Sequence, residues 1–173
     1  MSVTAYVGLG SNQNNPVNML ITAINDLDRL ERTRVISRSS FYRTAPLEYL
    51  DQPDFVNAVC GLTTALSAAE LLRGLLKLEA SQGRVRGSIS KGPRTLDLDL
   101  LLFGEEIISE QGLMVPHPKM AERRFVLEPL VEIEPGLYLP GLASVAKLLS
   151  VCPHQRVDKL RLTATNDVTL SIK

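Results

Sequence analysis

The chain lacks several features that mark common classes of protein. It has no tryptophan, only two cysteines and no net charge over its 173 residues. Two cysteines do not build a disulfide framework in a chain of this size, and Cys60 and Cys152 have no metal-ligand spacing with the two histidines. The balance of 19 basic and 19 acidic residues argues against binding to nucleic acid or to a membrane surface through bulk charge.

Targeting segments and familiar nucleotide-binding motifs are also absent from the sequence. No apolar run approaches the roughly 18 residues that a membrane-spanning helix needs, and the first residues lack the basic and apolar regions of a signal peptide. A soluble, cytoplasmic protein is therefore expected. No P-loop pattern and no protein-kinase signature occurs. The GLG at residues 8–10 lacks the third glycine of a dinucleotide fingerprint, and a tight turn before a capped helix is expected there.

The order of predicted elements indicates the fold class. Apolar residues make up 45% of the chain, which is enough for one packed domain. We predict strands at residues 3–7, 34–42, 55–63 and 95–103, a helix that begins at Asn15-Pro16 and runs to about residue 31, and a helix from the capping box at Ser67 to Gly83. The resulting β-α-β-β-α-β order predicts an α+β, ferredoxin-like fold with a mainly antiparallel sheet and two helices on one face.

The rest of the chain carries weaker signals. We predict a short strand at residues 107–108, a rigid proline loop at 115–120, a helix over 122–127 and a last helix capped by Ser144. Residues 1–160 are expected to form a single domain, and residues 161–173 a C-terminal appendage with a loose hairpin around 166–167.

Two acidic residues stand at the start of the leucine-rich strand TLDLDLLLF. Side chains alternate along a strand, so Asp97 and Asp99 share one face with their Cα atoms roughly 6.6 Å apart. A half-buried strand with a polar outer face is one interpretation. The same face is expected to continue with Leu101 and Phe103, however, which favours a strand covered on both sides. Two carboxylates this close require a nearby cation, either hard metal ions or arginine.

A basic segment directly precedes this strand. It contains Arg84, Arg86, Lys91 and Arg94 and no acidic residue. A solvated loop is the plain interpretation, but guanidinium groups bind phosphate oxygens well. Paired carboxylates can hold Mg²⁺, which binds triphosphate oxygens. Together the two segments predict a nucleoside triphosphate site and phosphoryl-transfer chemistry.

These motifs resemble a known family. GLGSN, FYRTAPLEYLDQPDFVNAV, GRVRGSISKGPRTLDLDLLLFG and VPHPKMAERRFVLEPL span residues 8–130 and are similar to the 6-hydroxymethyl-7,8-dihydropterin pyrophosphokinases of folate biosynthesis. The resemblance implies a ferredoxin-like fold. It also implies transfer of pyrophosphate from MgATP to the pterin hydroxymethyl group with release of AMP, in a monomer that needs neither a nucleic acid nor a membrane.

The resemblance also implies roles for individual residues. Asp97 and Asp99 would hold two Mg²⁺ ions, and Arg84 and Arg94 would contact the phosphates and assist catalysis. The residues implied around the nucleotide are Glu79, Arg86, Leu98, His117 and Arg123. The residues implied around the pterin are Thr44, Leu47, Phe55, Asn57 and Phe125, with the two phenyl rings stacking on the pterin and Asn57 pairing with its polar edge.

Two positions depart from the family pattern, and two other functions stay open. Lys91 stands where family members often carry an aromatic residue, and Met114 stands where some carry a hydroxyl side chain. The first alternative function is a non-catalytic ferredoxin-like module that binds a small ligand or metal. The second is another two-metal enzyme, such as a nucleotidyltransferase, which would release pyrophosphate.

Overall fold

The computed structural model describes residues 1–83 and 95–162, together with the backbone of residues 168–170. The elements in chain order are β1 (Val3–Ser11), α1 (Pro16–Asp28), β2 (Thr33–Arg38), β3 (Tyr42–Thr44), β4 (Phe55–Thr64), α2 (Ala68–Ser81), β5 (Asp97–Phe103), β6 (Ile108–Glu110), β7 (Leu113–Val115), a 3₁₀ turn (Met120–Glu122), α3 (Arg124–Ile133), α4 (Val145–Val151), β8 (Val157–Leu162) and β9 (Val168–Leu170). Within these ranges, no helix is both long and apolar enough to cross a membrane.

The main sheet is antiparallel in every pairing between the described strands. Its order is β5-β1-β4-β3-β8-β9, and β2 pairs with the part of β4 that β3 leaves uncovered. β1 pairs along its whole length with β4, from Val3 opposite Thr64 to Ser11 opposite Val56. The predicted α+β class with a mainly antiparallel sheet is confirmed.

Helices cover both faces of this sheet. On one face α1 and α2 bury Leu20 and Leu71 against a core that includes Ala5 of β1. On the other face α3 and α4 bury Leu127 and Val145 in a second core. The sequence predicted the first pair of helices on one face, and the second pair explains why the leucine-rich strand has no solvated face.

β5 contains a bulge that changes which side chains share a face. Tyr6 of β1 lies opposite Leu102 and the next residue, Val7, lies opposite Leu100, so Leu101 is the extra residue. Leu101 and Leu102 both enter the α3–α4 core, whereas Phe103 packs in the α1–α2 core. The expectation that Phe103 shares the face of the acids is wrong, because the bulge reverses the alternation after Leu101.

Residues 34–42 form two strands where the sequence predicted one. Ser39 interrupts them: its N–H donates to the carbonyl of Val59, and its hydroxyl accepts from the Val59 N–H, both at 2.9 Å. The Ser39 hydroxyl thus takes the place of a backbone carbonyl as the acceptor. β2 and β3, on either side of Ser39, both pair with β4.

Most helix boundaries follow the capping residues. Asn15 caps α1 with Pro16 as its first residue, and Ser67 and Glu70 form the expected capping box of α2. α1 ends at Asp28, earlier than predicted, because Arg32 turns the chain into β2 with φ 53°. Gly83, with φ 78°, follows the last turn of α2 as a left-handed residue.

The C-terminal part differs in detail from the prediction. Residues 120–122 form the 3₁₀ turn and α3 begins only at Arg124. β6 and β7 pair as a hairpin, whereas only a short strand at 107–108 was predicted. β8 runs to Leu162 and pairs with β9, so this strand continues past residue 160, the predicted domain boundary. Residues 163–167 and 171–173 lie outside the described part, and the division at residue 160 stays a prediction.

Candidate active site

The acid pair stands at the beginning of β5, the edge strand of the main sheet. Asp97 lies opposite Gly10 of β1 and Asp99 lies opposite Gly8. The two glycines lie within β1, so the expected tight turn at residues 8–10 is wrong. Glycine at position 10 leaves space for the side chain of Asn57, because a Cβ at Gly10 would lie 2.6 Å from Oδ1 of Asn57.

Two pockets meet at these carboxylates. We call the first the β4 pocket, and its lining includes Thr44, Leu47, Phe55, Asn57, Phe125 and Gln155. We call the second the β7 pocket, and its lining includes Leu72, Leu76, Glu79, Leu98, Met114 and His117. Asp97 and Asp99 line both pockets. A group bound in one pocket can therefore reach a group bound in the other across the same pair of acids.

The β4 pocket has a polar floor between aromatic walls. Asn57 is 7% exposed and Thr44 is 1% exposed, and Nδ2 of Asn57 donates to Oγ1 of Thr44 over 2.6 Å. Phe55 begins β4 and Phe125 lies in the first turn of α3, both half-buried. The predicted shared face of Phe55 and Asn57 is confirmed, because both side chains line this pocket. Leu47 also lines it and is 47% exposed.

Gln155 is a lining residue that the sequence did not indicate. It is 7% exposed and precedes β8. Its side chain donates to the carbonyl of Ala45 at 2.7 Å and accepts from the N–H of Phe125 at 3.3 Å. No motif surrounds it in the sequence, since its role depends on three segments that meet only in the folded chain.

The β7 pocket has both aliphatic and polar side chains in its lining. Leu72 and Leu76 of α2 and Met114 of β7 supply aliphatic surface. Glu79 is 5% exposed, and its Oε1 accepts from the N–H of Leu98 at 2.8 Å. This bond fixes the end of α2 to the start of β5. Glu79 therefore orients the strand residue that lies between the two acids.

His117 enters the β7 pocket in a defined tautomer. The backbone N–H of His117 donates to the carbonyl of Leu101 at 2.9 Å, and the ring Nδ1 of His117 accepts from the backbone N–H of Lys119 at 3.2 Å. The ring proton is therefore on Nε2, where it can be donated to an anion. Burial, reinforced by the charge of Arg123, lowers the pKa of His117 to about 4, so the ring is neutral at physiological pH.

Arg123 lies beside the acid pair and belongs to the β4 pocket lining. Its Nη1 is 4.0 Å from Oδ2 of Asp99, and its guanidinium carbon lies 5.6 Å from the centre of the Phe125 ring. The family resemblance implied that Arg123 lies around the nucleotide. Its position beside Asp99 places a positive charge where the two pockets join.

The remaining predicted residues cannot be placed. Arg84, Arg86, Lys91 and Arg94 lie outside the described residues.

Among residues 1–83 and 95–162, no group of three or more His, Cys, Asp or Glu side chains is arranged to hold a metal ion.

Comparison with known proteins identifies the family. The model of the 7,8-dihydro-6-hydroxymethylpterin-pyrophosphokinase family (HPPK) matches residues 6–135. The chain belongs to the HPPK family. A pyrophosphokinase named for 2-amino-4-hydroxy-6-hydroxymethyldihydropteridine from Haemophilus influenzae is 44% identical over 158 residues, covering 91% of this chain and 98% of the relative. The enzyme of the same name from Pseudomonas aeruginosa is 44% identical over 155 residues, covering 90% and 95%.

Solved structures support the same fold. The crystal structure of wild-type Plasmodium falciparum HPPK-DHPS superposes with a TM-score of 0.77 at 13% identity, covering 98% of this chain and 50% of that one. The chain spans about half the length of this structural relative. At this identity the match concerns the fold alone, and it confirms the predicted ferredoxin-like fold of an HPPK domain.

Proposed function

We propose that the chain transfers pyrophosphate from ATP to the hydroxymethyl group of 6-hydroxymethyl-7,8-dihydropterin, giving the pterin diphosphate and AMP. This is the folate-biosynthesis reaction for which the HPPK family and its curated relatives are named. The observation that carries the assignment is the pair of pockets that share Asp97 and Asp99. A two-substrate transfer needs such an arrangement, because donor and acceptor must meet at one point.

The pterin is assigned to the β4 pocket. Its flat ring suits the space between Phe55 and Phe125, where aromatic stacking adds to burial. The amide of Asn57, fixed by its bond to Thr44, presents its oxygen to a ring N–H donor. A ligand without that polar edge leaves buried groups unpaired, which costs binding free energy.

ATP is assigned to the β7 pocket. The apolar side chains of Leu72, Leu76 and Met114 contact the base, and the phosphates extend toward the acid pair. Nε2–H of His117 donates to a phosphate oxygen, and Arg123 lies close enough to Asp99 to neutralise charge on the transferred group. Roles for Arg84, Arg86 and Arg94 at the phosphates stay predictions from the family resemblance.

The donor set at the acid pair fits magnesium. Two carboxylates on one strand face offer hard oxygen ligands and leave the other coordination positions to phosphates and water. We assign two Mg²⁺ ions to Asp97 and Asp99. Bound there, they would neutralise charge on the triphosphate and help to align the reacting groups.

The transfer itself is a displacement at phosphorus. The hydroxymethyl oxygen of the pterin forms a bond to the β-phosphorus of ATP while the bond from that phosphorus to the α–β bridging oxygen breaks. AMP keeps the bridging oxygen, and the hydroxyl proton leaves to solvent. The chain's own part is to hold the ring and the nucleotide so that the two reacting groups align, and to surround the transferred group with Arg123 and His117.

Product analysis tests the assignment. The protein is mixed with MgATP and 6-hydroxymethyl-7,8-dihydropterin, and the nucleotides are separated. AMP formed in step with a pterin diphosphate is expected. ADP would indicate transfer of one phosphoryl group, free pyrophosphate would indicate a nucleotidyltransferase, and no turnover would favour the binding module. A monomeric state, a cytoplasmic location and the absence of nucleic acid or membrane partners stay predictions.

A further inference from the structure

The two walls of the β4 pocket are joined by one buried side chain. One wall is the loop after β3, which includes Ala45, and the other is the first turn of α3, which includes Phe125. Gln155, 7% exposed, donates from Nε2 to the carbonyl of Ala45 at 2.7 Å and accepts at Oε1 from the N–H of Phe125 at 3.3 Å. These walls are 80 residues apart in sequence.

The segment that carries Gln155 holds the first wall at further points. The N–H of Ala45 donates to the carbonyl of Arg156 at 3.1 Å, and Thr44 pairs with Val157 in the sheet. The backbone thus fixes the loop to β8. In the part of the chain that the structure describes, the backbone bonds of residues 155–157 reach only the loop, and the side chain of Gln155 makes the link onward to Phe125.

We propose that Gln155 is a positioning residue that sets the spacing between the loop and the Phe125 wall, and so determines how tightly the β4 pocket holds its ligand. The inference rests on the proposed function, since it takes the pterin to be that ligand. The pterin ring would lie between the two walls, so a small separation of the walls removes contact with a flat ring on both faces.

The chemistry of the amide explains why glutamine suits this position. One wall offers an acceptor and the other offers a donor, and a primary amide satisfies both at once. A carboxylate can accept from Phe125 but cannot donate to Ala45 when ionised. A methionine fills a similar volume and makes neither strong hydrogen bond.

The test compares Gln155→Met, Gln155→Glu and Gln155→Ala with the wild type. We expect Gln155→Met to raise the KM for 6-hydroxymethyl-7,8-dihydropterin by about 10-fold or more, with the KM for ATP unchanged and kcat reduced less than the pterin KM rises. Gln155→Glu keeps the acceptor for the Phe125 N–H but sets a buried carboxylate against the carbonyl of Ala45, so it is expected to raise the pterin KM at least as much as Gln155→Met. Gln155→Ala should have the largest effect because it also leaves a void.

Tyr42→Phe is the matched control. Tyr42 donates from its hydroxyl to Glu132 of α3 at 2.5 Å, so its loss removes one side-chain bond between α3 and β3, outside the β4 pocket. We expect Tyr42→Phe to lower the thermal unfolding midpoint as much as Gln155→Met while raising the pterin KM by no more than about 2-fold, far less than Gln155→Met does.

The outcomes separate the two proposals. Equal pterin KM values for Gln155→Met and the wild type would overturn the positioning role, and so would parallel increases in the KM for ATP and for pterin. If Gln155→Ala does not fold, Gln155→Met and Gln155→Glu decide whether Gln155 positions the two walls of the pocket. A wild-type protein that turns over no pterin contradicts the proposed function instead, because that result does not depend on Gln155.

Discussion

The β4 pocket and the β7 pocket share two carboxylates but differ in the chemistry of their other walls. The β4 pocket has buried polar side chains bound to one another or to backbone, namely Asn57, Thr44 and Gln155. The β7 pocket offers aliphatic side chains such as Leu72 and Met114 to the base, with the polar Glu79 and His117 elsewhere in its lining. A site built on hydrogen bonds rejects a ligand without matching groups far more strongly than an apolar pocket does. Selectivity for the acceptor should therefore exceed selectivity for the nucleotide base.

The two pockets also differ in how the chain builds them. The β4 pocket joins β1, the loop after β3, β4, β5, α3 and the segment before β8. The β7 pocket joins α2, β5, β7 and the loop that follows β7. Hydrogen bonds between distant segments hold the first pocket, and the second combines packing at the edge of β5 with the bonds that join Glu79 to Leu98 and His117 to Leu101.

The largest expected effect comes from the residues that both pockets share. Asp97→Asn or Asp99→Asn should lower kcat by about 100-fold or more, because an amide holds a metal ion and orients phosphates far less well than a carboxylate. The thermal unfolding midpoint should change little. Steady-state kinetics at saturating ATP and pterin measure the effect, with Glu110→Gln, at an exposed acid of β6, as the control. Near-normal turnover in either aspartate variant would remove the metal assignment.

Asn57→Ala should separate the two pockets. The variant removes the amide that faces the ligand and leaves Thr44 without its 2.6 Å donor. Pterin affinity should fall on the order of 100-fold, while ATP affinity stays unchanged. Titration calorimetry with each substrate alone measures both affinities. Thr63→Ala, near the other end of β4, is the control. Equal losses for ATP and pterin would mean that the two pockets do not act as separate binding sites.

A smaller effect is expected in the β7 pocket. Met114 is 48% exposed, so Met114→Ala removes only part of an apolar contact. The KM for ATP should rise about 2- to 5-fold, with the pterin KM unchanged. Ile36→Ala, which shortens an apolar side chain that is 54% exposed and lies outside both pockets, should change neither. A rise in the pterin KM alone would contradict the placement of ATP in this pocket.

Local signals in the sequence predicted much of the framework. Asn15-Pro16 and the Ser67–Glu70 capping box define where α1 and α2 begin, because caps act within one turn of the chain. Asp97 and Asp99 were recognised because two residues of spacing on a strand place side chains on one face. Phe55 and Asn57 follow the same rule, and both line the β4 pocket.

Features that depend on tertiary pairing could not be predicted in this way. The bulge at Leu101 exists only in the register between β5 and β1, so simple alternation misplaced Phe103. Gly10 was interpreted as part of a turn, although its role is to admit Asn57 from the neighbouring strand. Gln155 carries no local signal at all, since its two hydrogen-bond partners lie 110 and 30 residues away.

The smallest expected effect concerns Glu132, whose contacts hold α3, and with it the Phe125 wall, against the sheet. Glu132 of α3 accepts from the N–H of Ser40, from the hydroxyl of Tyr42 and from Lys159, whose Nζ lies 2.8 Å away. Burial raises the pKa of Glu132, but these hydrogen bonds outweigh burial and leave the pKa below its usual value. The contribution of this carboxylate to stability is therefore present above about pH 4.3 and is lost as the pH falls through the lowered pKa.

Glu132→Gln tests whether these contacts of Glu132 support the β4 pocket specifically. The variant should be less stable than the wild type at pH 7, and the difference between their unfolding midpoints should shrink as the pH falls below about 4.3, because the wild-type carboxyl then becomes neutral too. At pH 7 the pterin KM should rise about 2-fold or less, with the ATP KM unchanged. Thermal unfolding from pH 3 to 7 and steady-state kinetics at pH 7 provide the measurements, and Glu110→Gln is again the control. A stability difference that stays constant over this range would show that the ionised form of Glu132 is not what holds α3 to β3 and β8.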